Sequence, residues 1–488
     1  MTTTNGTTAK TWDFTHFTNS VAGVPRGSPD IHHGINPSDG KPLWDVPIAS
    51  ANDLDDAVKA AQKAFKTWSK TTWAERQAIL IKISEEYGKY GEEMGNIVRL
   101  EGGKPTPFAN GEAVNSAQGL KYYAPFEEEV IEEDADIRLT MRHVPKGVIG
   151  AILPWNFPLA IAMNKVGPAL LTGNCIIVKP SPFTPYSILK FAEIAQQFLP
   201  PGVLQALNGD NTMGPMMCEH PDIQVITFTG SSATGKKVMA TAAKTLKDVT
   251  LELGGNSASV ICPDVDVEKI ASQVALGAFF NSGQLCVAAK RLYVHKDVYP
   301  EFLKALTEVV KNWKTGPTSE DVMLGPVQNE MQHRIVKEFF EDCASNNYDF
   351  ALPGKVGDGA DGFVIQPAII DNPPDSARIV REEQFGPIVP VMIWETEEDL
   401  ISRVNNTQTG LGGSVWSADL ERARRIGTQI EAGTIWINSF EKPLPQAYFS
   451  GFKESGIGGE GGRHGLYHYV NTQVIHQYKV DVGKSSKL

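Results

Sequence analysis

A thiol, a carboxyl and a primary amide are the side chains in this sequence best suited to act on a carbonyl carbon: Cys286, Glu252 and Asn156. Cys286 stands in FFNSGQLCVAAKR (279–291) and is one of five cysteines, with Cys175, Cys218, Cys262 and Cys343, no two of which form a CxxC metal or redox pair. A thiolate is a strong nucleophile, yet a lone cysteine serves equally well as a small buried hydrophobe, so its role depends on what the rest of the chain brings to it. Glu252 ends the run DVTLE and is followed by Leu253, Gly254, Gly255 and Asn256. Apolar neighbours would desolvate that carboxyl and raise its pKa toward that of a general base; the plainer alternative is a solvated strand end. Asn156, between the prolines of PWNFP (154–158), is either an ordinary turn residue or a fixed NH2 donor aimed at a developing oxyanion.

Cys286 lies 34 residues beyond Glu252 and 130 beyond Asn156, so only folding can assemble them. From Val144 to Glu252, short β-rich runs alternate with helical stretches. Strands are expected over VIGAIL (148–153), NCIIVK (174–179), GVLQAL (202–207), IQVITF (223–228) and DVTLE (248–252), with helices over 158–171, 184–198, 211–219 and 234–245. This alternation builds βαβ units into a mostly parallel sheet covered on both faces, whose ligands bind at the carboxyl ends of the strands. Asn156, Lys179, Gly230 and Glu252 fall at or just beyond those ends. Gly230, Ser231 and Gly235 also place small residues and free amides ahead of a helix, which suits a pyrophosphate but also fits a simple cap.

The flanking sequence supplies scaffold. Leu54, Val58, Ala61 and Phe65 share one helical face, as do Ile79, Ile83 and Tyr87. After Glu252 a second α/β stretch has helices near 266–280 and 298–313 and strands RLYVH (291–295) and PIVPVMIW (387–394). The alternating segment HYVNTQVIHQYKV (468–480) reads as a strand that pairs with a neighbour. His464 and His468 have the i, i+4 spacing of a helical metal pair, but no third ligand is evident and no metal is expected.

With 488 residues the chain exceeds one ordinary core, so at least two domains are expected. The 41% hydrophobic and 21% charged composition is that of a globular protein, and a net charge of −12 argues against nucleic-acid or anionic-membrane surfaces. No membrane insertion is expected: the apolar run from Val148 to Met163 is broken by Pro154, Asn156 and Pro158 and falls short of the ~18 residues a span needs. The opening MTTTNGTTAKTWDF lacks the apolar core of a secretory signal, and scattered cysteines fit a reducing compartment. Ser486, Lys487 and Leu488 form a C-terminal SKL, an address read by the peroxisomal import receptor, so the peroxisomal matrix is expected, with the cytoplasm otherwise.

Taken together, the motifs resemble the aldehyde dehydrogenase superfamily over essentially the whole chain. LELGGNS (251–257) is similar to its glutamate signature, FFNSGQLC (279–286) to its cysteine signature and PWNFP (154–158) to its asparagine turn, with EEQFGP (382–387) and GFKESGIG (451–458) in the expected order. The resemblance implies an α/β fold with a Rossmann-like cofactor domain (1–122 and 146–254), an α/β catalytic domain (255–454) and a small β oligomerisation element (123–145 with 455–488). It implies that Cys286 is the nucleophile, that Glu252 activates the hydrolytic water, and that Asn156 and the Cys286 N–H form the oxyanion hole. Around NAD it places Trp155, Lys179, Ser181, Pro182, Gly209, Gly230 and Ser231, with Glu383 and Phe385 at the nicotinamide ribose. It lines the aldehyde tunnel with Phe157, Ile161, Asn164, Phe280, Leu285, Val287 and Phe449, and it implies a homo-oligomer, dimer or tetramer.

Two positions depart from the family pattern. Pro182 stands where a glutamate usually binds the adenosine ribose 2′-hydroxyl and repels a 2′-phosphate, so NAD is expected with NADP tolerated. Gly459 stands where many relatives carry arginine. The largely apolar tunnel, with no evident cation to grip a carboxylate, favours medium-chain aliphatic or aromatic aldehydes. The alternatives are an enzyme that passes its thioester to coenzyme A, which a water-activating Glu252 argues against, and a binding or structural homologue without activity, which the intact Cys286, Glu252 and Asn156 argue against.

Overall fold

Five apolar runs between residues 148 and 252 lie side by side as parallel strands, in the order Leu204–Ala206, Cys175–Lys179, Val148–Ile152, Val225–Thr229 and Asp248–Glu252. The structure, a computed structural model, describes residues 12–119, 126, 128–360, 362–440, 444–480 and 482. Asn19–Val21 with Val24–Arg26 extends the sheet at one edge, and Gly456–Ile457 at the other, both antiparallel. The latter strand comes from the segment expected in the oligomerisation element. Runs rich in Val and Ile bury the three central strands except at Thr229, as helices on both faces require.

The connecting helices are Pro158–Leu171, Tyr186–Ala195, Met213–Glu219 and Ser232–Ala242. Their ends follow local chemistry. Pro158 opens the first with no N–H to leave unpaired, and Ser231 caps the last through the Thr234 N–H, so that helix starts two residues before the expected 234. Two upstream helices carry complete capping boxes, Ser50 with Asp53 and Thr72 with Glu75.

The second sheet runs Asp349–Leu352, Ala368–Asp371, Ile388–Trp394, Arg291–His295, Ala258–Ile261, Gly412–Trp416 and Thr434–Ile437, parallel except for its first strand. It has an apolar cluster on each face. Val470–Tyr478 pairs antiparallel with Ile137–Pro145, which also holds Glu129–Glu133. Val474, Ile475 and Tyr478 are exposed on this small sheet. Among the described residues no helix is long and apolar enough to cross a membrane. Ser486, Lys487 and Leu488 lie outside the described residues.

Candidate active site

Helix Val267–Phe279 ends at the second sheet, and the chain then takes three left-handed residues in a row: Asn281 (φ 52°), Ser282 (φ 55°) and Gly283 (φ 75°). Such a run persists only where its surroundings hold it. Here Ser282 Oγ donates to the Gly325 carbonyl (2.6 Å), Gln284 Nε2 donates to the Asn281 carbonyl (2.9 Å), and Gln284 Oε1 accepts from the Gln328 N–H (2.8 Å). The turn delivers Cys286 partly exposed, while the other four cysteines are buried. Burial pushes the thiol up to about 12, helped by the charges of Glu383 and Glu252 and opposed by Lys290 and the Val287 N–H. The Cys286 thiol is therefore held in its protonated form at neutral pH.

Glu252 ends its strand between Thr229 and Gly456 and is 4% exposed, and among the described residues neither carboxylate oxygen has a hydrogen-bond partner. Burial, then the charge of Glu460, raises its pKa well above the usual carboxylate value, with Lys165 pulling the other way. The Lys165 ammonium is bound to Glu460 and donates to Thr227 Oγ (2.9 Å). The desolvation anticipated from the neighbours of Glu252 is thus present, and an added carboxylate reinforces it.

Asn156 sits in the turn between strand Val148–Ile152 and helix Pro158–Leu171, 5% exposed. Its Nδ2 donates to the Gln284 carbonyl (3.0 Å), and its own carbonyl accepts from Asn281 Nδ2 (3.3 Å). These two bonds fasten the asparagine turn to the cysteine loop. A primary amide has two N–H donors, so one fixes the side chain and one is left for a ligand oxygen.

At the same sheet edge the buried Lys179 donates to the Pro180 carbonyl (3.2 Å), and burial brings its pKa down to about 8 against the pull of Asp210. Ser181 is buried with its hydroxyl accepting from the Phe183 N–H (3.3 Å), and the Pro182 carbonyl pairs with His32 Nε2 (2.7 Å). Gly230 donates to the Glu252 carbonyl (3.1 Å), and Ser231 is exposed at its helix start. A Cβ on Gly209 would stand 2.5 Å from Met213 Cβ, so that position is closed to larger residues. Among the described residues Glu383 Oε1 has no hydrogen-bond partner, and it lies 3.9 Å from Lys290 Nζ; burial lifts its carboxyl to about 7 while Lys290 restrains it. Lys290 also donates to the Gly283 carbonyl (2.7 Å) and sits 4.7 Å from the Phe385 ring centre, and that ring meets Trp155 edge-on at 5.4 Å. A dinucleotide needs a cation and open amides for its phosphates and a carboxylate for a ribose. Lys179, the helix start at Ser231 and the unpartnered Glu383 oxygen fit those needs.

Phe157, Ile161 and Asn164 share one face at the start of helix Pro158–Leu171, running from half-buried to exposed. Phe157 stacks on Phe280 (6.1 Å, 16°), and Phe280 meets Phe108 edge-on (4.8 Å). Leu285 and Phe449 are half-buried, whereas Val287 is buried against Gly412. His468 Nε2 accepts from the Gly459 N–H (3.2 Å) and lies 3.2 Å from the Tyr448 hydroxyl. Among the described residues no group of three or more His, Cys, Asp or Glu could hold a metal ion. Gly459 also has a physical reason: a Cβ there would stand 2.5 Å from the Phe449 carbonyl.

Sequence reasoning missed Phe108, Gln284, Lys290 and two buried ammonium groups, Lys104 and Lys165. Lys165 could have been noticed, because a lysine inside the apolar run PLAIAMNKVGPALL has to be buried with a partner. Its partner Glu460 lies 295 residues away and could not.

The profile described as "Aldehyde dehydrogenase family" matches residues 25–475. The chain is 39% identical to the aldehyde dehydrogenase LUC3 of Fusarium sp, over 96% of this chain and all of that one. It is 36% identical to the peroxisomal aminoaldehyde dehydrogenase 1 of Pisum sativum, over 92% of each chain. The NAD+ complex of an aldehyde dehydrogenase from Bacillus cereus superposes with a TM-score of 0.90 at 31% identity, over 95% of this chain and 97% of that one.

Proposed function

The chain belongs to the aldehyde dehydrogenase family, and on that premise we propose that it oxidises a medium-chain aliphatic or aromatic aldehyde to the carboxylic acid, with NAD and water, through a thioester on Cys286. The observation that carries this reading is that Asn156 is fastened to the loop of Cys286, the one cysteine that is not fully buried, and that the charge of Glu252 acts on its thiol.

Each residue has a physical task. Cys286 attacks the aldehyde carbon and gives its proton to Glu252, whose desolvated carboxyl has the raised proton affinity to accept it and then pass it to solvent. The oxyanion of the tetrahedral adduct takes the remaining Asn156 N–H and the Cys286 backbone N–H; the bond of Asn156 to the Gln284 carbonyl supports the first as a donor that need not reorganise. Lys179, Ser231, Glu383 and Phe385 would hold the cofactor, which would supply the hydride acceptor that lets the adduct become the Cys286 thioester. Glu252 then takes a proton from water, the resulting hydroxide attacks the thioester and expels the Cys286 thiolate, and the acid is released as the proton on Glu252 passes to the thiolate or to solvent.

The stacked Phe157 and Phe280 with Phe108 make an apolar wall, which supports the substrate class. An absorbance assay at 340 nm over an aldehyde panel tests both parts. Activity with a kcat/KM that climbs from acetaldehyde to hexanal or an aromatic aldehyde is expected; no climb overturns the apolar tunnel, and no turnover overturns the reaction.

By the same reading residues 1–122 and 146–254 bind the cofactor, 255–454 form the catalytic domain, and 123–145 with 455–488 join copies into a dimer or tetramer. The exposed Val474, Ile475 and Tyr478 support that association. The terminal SKL supports import into the peroxisome, where the Pisum sativum relative is named as residing. Fusing a fluorescent protein upstream and deleting Leu488 should disperse a punctate signal into the cytoplasm; unchanged puncta would count against the address.

A further inference from the structure

Helix Pro158–Leu171, which begins immediately after Asn156 and Phe157, lacks a cap of its own: its N-cap residue is Phe157, whose side chain accepts nothing. The free amides at its start are bonded from a distance. Glu112, on helix Thr106–Gly119, accepts from the Leu159 N–H (3.0 Å) and the Ala160 N–H (3.2 Å) through Oε1. Its other oxygen is bound by Lys104. The Lys104 ammonium, 1% exposed, also sits 3.7 Å from the centre of the Phe157 ring. One buried ion pair therefore grips Phe157 through its ring and Leu159 and Ala160 through their amides, all within four residues of Asn156.

We propose that Lys104 and Glu112 are positioning residues: a buried clamp that holds the Asn156 turn in the place from which its amide reaches the oxyanion. The proposal rests on the assignment of Asn156 to the oxyanion hole. The clamp grips the rear of the turn while the Gln284 carbonyl and Asn281 Nδ2 fasten its front to the cysteine loop. Held from both sides, the Asn156 amide has little freedom to turn toward water. An oxyanion donor is effective because it need not reorganise as the charge forms, so loosening it should slow the chemical step and leave aldehyde binding in the ground state nearly untouched. An ion pair this deeply buried is a poor source of stability, since desolvation consumes most of the attraction; holding a geometry is the better reason for its presence.

The test is a double-mutant cycle on the full-length enzyme, read as kcat and KM separately. Asn156→Ala alone should lower kcat roughly 10²–10³-fold. Glu112→Ala in the wild-type background should lower kcat about 10–100-fold with KM for aldehyde within about threefold. In the Asn156→Ala background the same change should cost less than about threefold, because the donor it positions is gone. Equal losses in both backgrounds, or a loss confined to KM, would overturn the clamp while leaving the role of Asn156 intact. Full activity in Asn156→Ala alone would overturn the oxyanion assignment and the clamp with it. If Glu112→Ala does not fold, Glu112→Gln makes the same comparison: its amide oxygen still accepts from Leu159 and Ala160 but offers Lys104 no charge, and its smaller loss should likewise vanish without Asn156.

Discussion

Gly255 lies directly against Cys286: a Cβ built on the glycine would stand 2.5 Å from the Cys286 carbonyl oxygen and 3.0 Å from Leu411 Cβ. The glutamate segment thus touches the cysteine loop by backbone, and the space between them has no room for a methyl group. Replacing Gly255 by alanine should displace the loop, lowering stability by about 1–3 kcal/mol and kcat by at least about tenfold. Thermal unfolding and steady-state rates check it, and a variant with wild-type Tm and kcat would show the contact to be slack.

The raised pKa of Glu252 sets the direction of the pH profile. A general base works deprotonated, so the rate should climb as pH rises through that pKa, at pH values above those of an ordinary carboxylate. Glu460 is the charge that adds to burial in raising it, so Glu460→Gln should move the limb toward acid. Glu252→Gln should remove the limb and cut acid formation roughly 10²–10⁴-fold. A Glu460→Gln profile unchanged, or moved toward alkali, would contradict this electrostatic account.

Lys290 restrains Glu383, whose carboxyl burial lifts to about 7. Without the ammonium the carboxyl should rise further and be more fully protonated at neutral pH, weakening its grip on a ribose. Lys290→Met is expected to raise KM for NAD roughly 3–10-fold at pH 7, with the deficit shrinking toward pH 9 as the carboxyl ionises. Lys290→Arg should restore most of the affinity. A deficit of the same size at both pH values would mean that Lys290 acts only through packing on Phe385.

With the cofactor placed as proposed, Pro182 would give the adenosine ribose no carboxylate of its own, and the Pro182 carbonyl pairs with His32 Nε2. The kcat/KM ratio for NAD over NADP should therefore lie below about 10³, or ~4 kcal/mol of discrimination. Pro182→Glu should raise that ratio at least about tenfold by setting a negative charge against the 2′-phosphate. Parallel initial-rate measurements with the two cofactors decide it.

The sequence by itself determined the parts that depend on neighbours along the chain. Alternating apolar runs and helices specified the parallel sheet, because burial on both faces demands strands that are mostly apolar along their length rather than alternating. The glutamate, cysteine and asparagine motifs were legible because each combines an unusual side chain with the glycine or proline its turn needs. Only the tertiary structure decided what surrounds those side chains. The left-handed run Asn281 to Gly283 is stabilised by Gly325 and Gln328, far along the chain, and no local propensity announces it. The charges that tune Glu252 come from Lys165 and Glu460, and the clamp behind Asn156 from Lys104 and Glu112. A buried charge is tolerable only beside its partner, and that partner is chosen by distance in space, which no local reading of the chain can supply.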